Sequence, residues 1–423
     1  MRRLSLPLLP VGDRRYDLWV SGLHNTTLLL GVSGGIAAYK TPELVRRLRD
    51  AGADVHVVLT RAGARFVSPL ALEVVSGHPV GVDLWTTDGD SKIVHTDLGR
   101  DVDLILLAPA TANLVARVRH GFADDLLSTT VMACQTPVLV CPSMNTEMLH
   151  NPLVQENLSA LAAQERFSIL SPDSGELACG VTGAGRLPDP HEIIGGVRSA
   201  LSPSDLTGVR VTVSAGPTVE DLDPVRFLSN RSTGTMGFEL ARSLADRGAE
   251  VTLVAGPVQL PTPVGVRRVD VRCADDMSVA IHQAWPETHA LIMSAAVADY
   301  RPAVVAESKM KKREGEISLP LERTQDVLAS LASREDRAGK LLVGFAAETE
   351  QVADRAQDKL LRKGLDWIIA NDVSGSQIGF GTGDNAGVLL GRAGESIPLE
   401  RAAKANFADT IVEHLSESLR GAR

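Results

Sequence analysis

Apolar residues in this chain come in short unbroken runs rather than in strict alternation, the pattern of strands buried on both faces. The first run is Leu28–Gly31. It is followed by an amphipathic helical stretch, Ala37–Asp50, with Leu44, Val45 and Leu48 at helical spacing, and then by a second run, Val55–Thr60. Runs at 104–108 and 138–141 continue the series. A Pro-, Gly- and Ser-rich stretch over 185–208, with one short helix near 192–201, interrupts it. The pattern then restarts with strands predicted at 209–213, 250–255, 266–270, 289–294, 341–346 and 366–371, helical segments between them, a polar hairpin over 386–398 and a last helix over 401–419. Alternating strands and helices predict an α/β protein of two tandem Rossmann-like domains. The expected layout is a disordered leader over 1–24, a first domain over 25–190, a linker over 191–207 and a second domain over 208–423.

The connections carry the candidate chemistry. Ser214–Gly237 joins the strand at 209–213 to a helix predicted over 238–247 and is several times longer than the usual connection of about 2–6 residues. It is rich in Gly, Ser, Thr and Asn and ends on a helix N-terminus, the shape of an anion cradle. A disordered surface excursion is the alternative, but Val225, Phe227 and Leu228 within it favour an ordered loop. Gly31-Val-Ser-Gly-Gly-Ile36 forms the first turn of a βαβ unit. It is not G-x-G-x-x-G, and the second strand ends in Leu59-Thr60-Arg61 without the acidic residue that holds an adenosine ribose, so a phosphate fits there better than NAD. In an open parallel sheet, Ser33, Thr60, Asn113 and Asn145 all fall on the rim at the carboxyl ends of strands. Each taken singly reads as a helix cap.

Composition narrows the class without deciding it. A net charge of −9 excludes a generic nucleic-acid or anionic-membrane surface, and no apolar run is long enough to span a bilayer. The start of the leader resembles a secretory signal, but Pro7, Pro10 and Asp13 break it. Cys134, Cys141, Cys179 and Cys273 form no C-x-x-C pair and no zinc spacing, which predicts free thiols in a reducing cytoplasm. His95, in Ile93-Val-His-Thr-Asp-Leu98, reads as a structural hydrogen-bonder or a catalyst. Cys179, in a glycine-rich stretch, is a candidate acid or nucleophile.

The first half resembles the flavin-dependent cysteine decarboxylases, through the 31–36 turn, Val58-Leu-Thr-Arg-Ala-Gly-Ala-Arg-Phe66, the His95 segment, Ala108-Pro-Ala-Thr-Ala-Asn113 and Pro142-Ser-Met-Asn-Thr-Glu-Met148. The resemblance implies a flavodoxin-like domain with FMN on a rim of Ser33, Gly34, Gly35, Thr60, Thr111 and Asn113. FMN would oxidise a substrate thiol so that the carboxylate leaves as CO₂, and then return the electrons. His95 would be the base or orienter, Asn145 would hold the carboxylate and Cys179 would donate the final proton.

The second half resembles phosphopantothenate–cysteine ligase, through Ala215-Gly-Pro-Thr, Asp223-Pro-Val-Arg-Phe-Leu-Ser-Asn230, Ala295-Ala-Val-Ala-Asp-Tyr300, Lys309-Met-Lys-Lys312 and Gly344-Phe-Ala-Ala-Glu-Thr349. It implies a Rossmann-like ligase that joins 4′-phosphopantothenate to L-cysteine through an acyl-cytidylate made from CTP with Mg²⁺. Asn230 and Lys309 carry the catalysis; Ala295, Asp299, Lys309, Phe345, Lys359 and Lys363 contact CTP; and Asp299 is the candidate metal ligand. Lys309 with Lys311, Lys312 and Arg313 reads as a mobile phosphate loop, although such runs are usually solvated faces.

The order of motifs matches the fused bacterial coenzyme A biosynthesis proteins, which implies a cytoplasmic homo-oligomer, trimeric through the first domain and dimeric through the second. Two departures bear on nucleotide binding: Thr235 where relatives carry lysine, and Gln325 where they carry proline. The rival expectations are a decarboxylase with a diverged second domain and a non-catalytic flavin- or nucleotide-binding regulator.

Overall fold

The structure is a computed structural model, and it describes residues 22–84, 99–176, 182–311, 318–348, 352–372 and 383–422. The chain forms two compact units that part between Ile194 and Gly195, a point inside the helix Pro190–Leu201.

The first unit is built on a six-stranded sheet in the order β3-β2-β1-β4-β5-β6, formed by β1 (Thr27–Val32), β2 (Asp54–Leu59), β3 (Val80–Gly81), β4 (Leu104–Ala110), β5 (Val138–Pro142) and β6 (Phe167–Ile169). All neighbours pair in parallel. Every residue of β4 is buried, as a parallel strand covered by helices on both faces requires. A separate antiparallel pair, β7 (Asp173–Glu176) and β8 (Thr182–Arg186), follows. The stretch expected as one helix from Ala37 is instead a 3₁₀ turn, Ile36–Lys40, followed by the helix Thr41–Asp50. Pro42 explains the break, because it has no N–H to give and fits only the opening turn of a helix.

The second unit holds an eight-stranded sheet in the order β13-β12-β9-β14-β17-β18-β19-β20. Its strands are β9 (Arg210–Ala215), β12 (Glu250–Ala255), β13 (Val266–Asp270), β14 (Ala290–Met293), β17 (Leu341–Glu348), β18 (Trp367–Asp372), β19 (Asp384–Gly391) and β20 (Ser396–Ala403). Six strands run parallel, and β19 and β20 close the edge antiparallel. Because β20 continues to Ala403, the last helix starts at Lys404 rather than 401.

The overlong connection is ordered. β10 (Val219–Asp221) and β11 (Phe227–Ser229) pair antiparallel within it. Asp223 closes their turn, its Oδ1 accepting from the backbone N–H groups of Val225 and Arg226 at 2.8 Å each. The second arm of the same kind, β15 (Tyr300–Pro302) with β16 (Leu321–Arg323), was not foreseen. The helix after the long connection begins at Thr235, three residues before its expected start.

That helix, Thr235–Asp246, is held by a buried ion cluster. Arg242 donates to Glu239 at 2.7 Å, Asp246 at 2.7 Å, Asp409 at 2.7 Å and the Ala405 carbonyl at 3.2 Å, tying the helix to Lys404–Gly421. Burial works against the Arg242 cation, but the surrounding carboxylates outweigh it and raise its pKa. The Glu239 and Asp246 acids are pushed up by desolvation despite the arginine.

Candidate active sites

In both sheets the strand order reverses once, between β1 and β4 in the first unit and between β9 and β14 in the second. Loops leaving the carboxyl ends of such strands diverge and open a crevice. Each unit has its principal cleft there.

The first cleft has a volume of about 1310 Å³, and its lining includes Ser33, Gly34, Gly35, Thr60, Thr111, Asn113 and Asn145, so all the expected rim residues described by the structure converge. Ser33 is only 2 % exposed. Its hydroxyl donates to the Pro109 carbonyl at 2.6 Å and accepts from the Thr111 N–H at 2.9 Å, locking the β1 loop to the β4 loop. Gly34 is needed for close approach, since a Cβ there would lie 2.3 Å from the Ala62 Cβ. Thr111 caps the helix Ala112–His120, and Asn145 caps the four-residue turn Thr146–Leu149, its Oδ1 accepting from the Glu147 N–H at 2.8 Å. Capping and rim position thus hold together for these residues rather than competing.

The β7–β8 pair is fastened to this rim. Met144 N–H donates to the Gly185 carbonyl at 3.0 Å, and the Thr146 hydroxyl donates to the Ala184 carbonyl at 2.8 Å. Gly185 sits at φ +134°, and a Cβ there would fall 2.1 Å from the Met144 carbonyl oxygen. Cys179 belongs to the stretch between β7 and β8, and His95 to the stretch before β4. Both lie outside the described residues. Tyr39, Arg117, Ser143 and Arg186 also line the cleft without having been singled out. Ser143 directly follows β5, so the strand-end rule could have found it.

The second cleft, about 450 Å³, is lined among others by Asn230, Thr235, Ala295, Asp299, Phe345, Lys359 and Lys363. One wall is the opening turn of the helix Thr235–Asp246, whose free N–H groups favour anions. Thr235 is buried there, its hydroxyl 3.0 Å from that of Thr233. The β14 loop is pinned on three sides. Ser214 Oγ accepts from the Ala295 N–H at 3.1 Å, Asn230 Nδ2 donates to the Ala296 carbonyl at 2.8 Å, and Thr218 Oγ1 accepts from the Ala298 N–H at 2.9 Å.

The opposite wall is cationic. Lys359 Nζ donates to the Phe345 carbonyl at 3.0 Å, and Lys363 pairs with Asp326 at 2.9 Å. Desolvation is the largest influence on the Asp326 acid and would raise it, but hydrogen bonds from Lys363 and the Ala329 N–H, together with the charges of Lys363 and Lys359, outweigh it and hold its pKa down. Gln325 accepts from the Ser278 hydroxyl at 3.1 Å, so it fastens this wall through its side chain where a proline would stiffen the backbone.

Lys309 is the exception, because it is exposed and does not line this cleft. Its neighbour Met310 is bound to the 219–229 arm, its N–H donating to Asp223 at 3.0 Å and its carbonyl accepting from Arg226 at 2.8 Å. Lys312 and Arg313 lie outside the described residues.

Asn371, Asn385 and Lys404 also line the second cleft and were missed. Asn371 is the last residue but one of β18, close enough to its carboxyl end for the strand-end rule to have found it. Asn385 is the second residue of β19, which runs antiparallel and so delivers its first residues to the same rim. Lys404 is 7 % exposed; burial pushes its pKa down against the opposing pull of Asp384. The Oδ1 atoms of Asn371 and Asn385 are buried without a hydrogen-bond partner in the structure.

A family model described as "Flavoprotein" matches residues 21–202, and one described as "DNA/pantothenate metabolism flavoprotein C-terminal domain" matches residues 206–419. The coenzyme A biosynthesis bifunctional protein CoaBC of Escherichia coli (strain K12) is 48 % identical over 384 residues, which is 90 % of this chain and 94 % of that protein. Among solved structures, the C-terminal domain of a CoaBC protein is 38 % identical, covering 51 % of this chain and 98 % of its own, with a TM-score of 0.44. The FMN-dependent cysteine decarboxylase SpaF is 30 % identical, covering 42 % and 99 %, with a TM-score of 0.36.

Proposed function

The chain belongs to the family of coenzyme A biosynthesis bifunctional proteins, and on that premise we propose a division of labour between its two clefts. It catalyses the CTP-dependent ligation of 4′-phosphopantothenate with L-cysteine and then the FMN-dependent decarboxylation of 4′-phosphopantothenoylcysteine to 4′-phosphopantetheine. Ligation belongs to the second unit and decarboxylation to the first. One observation carries the assignment: the segments that resemble each enzyme are separated in sequence, yet described polar residues from several of them (Ser33, Thr60, Asn113 and Asn145 in the first unit, Asn230 and Asp299 in the second) line one cleft per unit, at the strand-order reversal.

The first cleft fits FMN. A glycine pair, with no room for a side chain at Gly34 and a tight fit at Gly35, a buried serine bridging two loops and a helix N-terminus at Ala112 make a phosphate cradle beside a space large enough for the isoalloxazine ring and a substrate arm. Ser33, Gly34, Gly35, Thr60, Thr111 and Asn113 hold the cofactor. When bound, FMN supplies the redox chemistry, accepting two electrons from the substrate thiol and returning them after CO₂ has left. Asn145 holds the departing carboxylate by hydrogen bonding, which keeps it in place without discharging it. His95 orients or deprotonates the thiol. Cys179, carried between two strands fastened to the rim, delivers the proton that the carbon needs after decarboxylation.

In the second cleft the chemistry is acyl activation. A carboxylate does not react with an amine in water, so the phosphopantothenate carboxylate attacks the α-phosphorus of CTP and pyrophosphate leaves. The cysteine amine then attacks the acyl carbon and releases CMP. Ala295, Phe345, Lys359 and Lys363 hold the nucleotide, and Asn230, fixed by the Ala296 carbonyl, steadies the acyl-cytidylate. Asp299, exposed at the cleft, is the carboxylate that would hold a Mg²⁺ ion, which would supply charge to offset that of the phosphates. Lys309 reaches the triphosphate by movement of its loop. The unpaired acceptors of Asn371 and Asn385 suit substrate donors, of which the cysteine ammonium is the strongest. The assembly in this reading is a cytoplasmic homo-oligomer, trimeric through the first unit and dimeric through the second.

The test is one reaction. Purified protein with 4′-phosphopantothenate, L-cysteine, CTP and Mg²⁺ should release CMP and form 4′-phosphopantetheine, seen by mass, and the preparation should show a flavin spectrum. CMP without phosphopantetheine leaves only the ligase assignment standing, and absence of both refutes the reading.

A further inference from the structure

At the far end of the first sheet from the flavin cleft, three side chains of metal-binding type meet. Asp54 and His56 are two apart on β2 and so share a face. β3 pairs in parallel with β2, Val80 against Val57, and this register carries His78 alongside residue 55, between the other two. His78 Nε2 lies 2.6 Å from Asp54 Oδ1, and His56 Nε2 lies 3.5 Å from Asp54 Oδ2. One ligand atom from each of the three falls within 4.8 Å of those of the other two.

We propose that Asp54, His56 and His78 bind one divalent first-row transition cation of the Zn²⁺ class. Two imidazoles and one carboxylate form a donor set that Mg²⁺ and Ca²⁺ do not favour and that Zn²⁺, Co²⁺ and Ni²⁺ do. All three side chains are partly exposed, with relative accessibilities of 52 %, 30 % and 32 %, which leaves solvent to complete the coordination and room for rotation. Rotation is required. The two imidazole rings stack with centroids 4.1 Å apart and planes 22° from parallel, so their lone pairs run side by side. An ion draws the Nε2 atoms together and opens the stack. Because His78 precedes the edge strand β3, the bound ion ties that strand to β2.

The test uses the full-length protein with excess Mg²⁺ present to occupy the ligase site. Co²⁺ is titrated as a visible stand-in for Zn²⁺, against the double variant His56→Gln/His78→Gln. The wild type should take up one Co²⁺ per chain with ligand-field absorption that Zn²⁺ abolishes. Each lost imidazole should weaken binding by more than the roughly tenfold that loss of an outer-shell partner costs. Saturating Zn²⁺ should raise the unfolding temperature of the flavin-bearing unit in the wild type and leave it unchanged in the variant. Retained flavin absorption and circular dichroism show that the variant is folded. Equal Co²⁺ uptake by both proteins, a thiolate charge-transfer band that survives in the variant, or no ligand-field absorption in the wild type overturns the proposal.

Discussion

Replacing Arg242 with methionine tests whether the helix that opens on the ligase cleft is held by its buried ion cluster. The arginine is almost fully buried, as are Glu239 and Asp246, while Asp409 is 44 % exposed. Removing the cation orphans two buried carboxylates, a loss of about 3–5 kcal/mol, while the Asp409 contact adds at most about 1 kcal/mol. Arg198, 3.5 Å from Asp246, keeps a second cation nearby, so the lower half of that range is expected. For a domain of this size that lowers the unfolding temperature by roughly 10 °C. The pH dependence is the sharper signature. Desolvation already raises the Glu239 and Asp246 acids in the wild type, and without Arg242 it raises them further. An acid with a raised folded-state pKa binds its proton more tightly when folded, so its contribution to stability is full below the unfolded pKa and is lost as pH rises through the folded one. Each such group recovers about 1.4 kcal/mol per pH unit on acidification within that window, so the gap between variant and wild type should shrink between pH 7 and pH 5.5, by at most about 2 kcal/mol for each of the two acids. Urea unfolding at the two pH values, followed through the buried Trp285, reports it. A loss under about 1 kcal/mol, or a loss equal at both pH values, refutes the account.

Cys179→Ser should retain FMN yet form no 4′-phosphopantetheine, with mass spectrometry showing ligation continuing; full activity would remove its role as proton donor. Lys309→Gln should lower CTP-dependent ligation by at least about tenfold, as loss of one charge-assisted contact to the triphosphate implies, and leave decarboxylation of supplied 4′-phosphopantothenoylcysteine intact. Wild-type ligation rates in that variant would mean the lysine stays where the structure shows it, exposed and away from the cleft.

The sheets were legible because parallel strands buried on both faces must be written as unbroken apolar runs; β4, β5, β9 and β14 appear in the sequence nearly at their final lengths. The short arms were not. β10, β11, β15 and β16 are three residues each, and only pairing across a turn makes them strands. The rim residues Ser33, Asn113 and Asn145 were legible for a geometric reason, since each follows a parallel strand and strand ends must face one crevice. The same rule reaches Asn371. It does not reach Asn385 or Lys404, whose places depend on β19 turning antiparallel and on β20 ending where the last helix begins.

The departure at Thr235 shows what the sequence could flag but not interpret. A missing lysine at the start of a phosphate-facing helix suggests a cleft short of positive charge. In the fold, that position is buried and its hydroxyl is engaged by Thr233, on a helix end that already favours anions. The cations lining the cleft come from elsewhere: Lys359 from the helix after β17, Lys363 from the residue that follows it, and Lys404 from the start of the last helix. Lys363 is partly neutralised by Asp326, and Lys404 carries the cost of burial. An incoming polyphosphate would add favourable charge beside Lys404 and give Lys363 a second partner. In the proposed reading it is therefore the arrangement of these lysines, rather than a lysine at position 235, that meets the triphosphate.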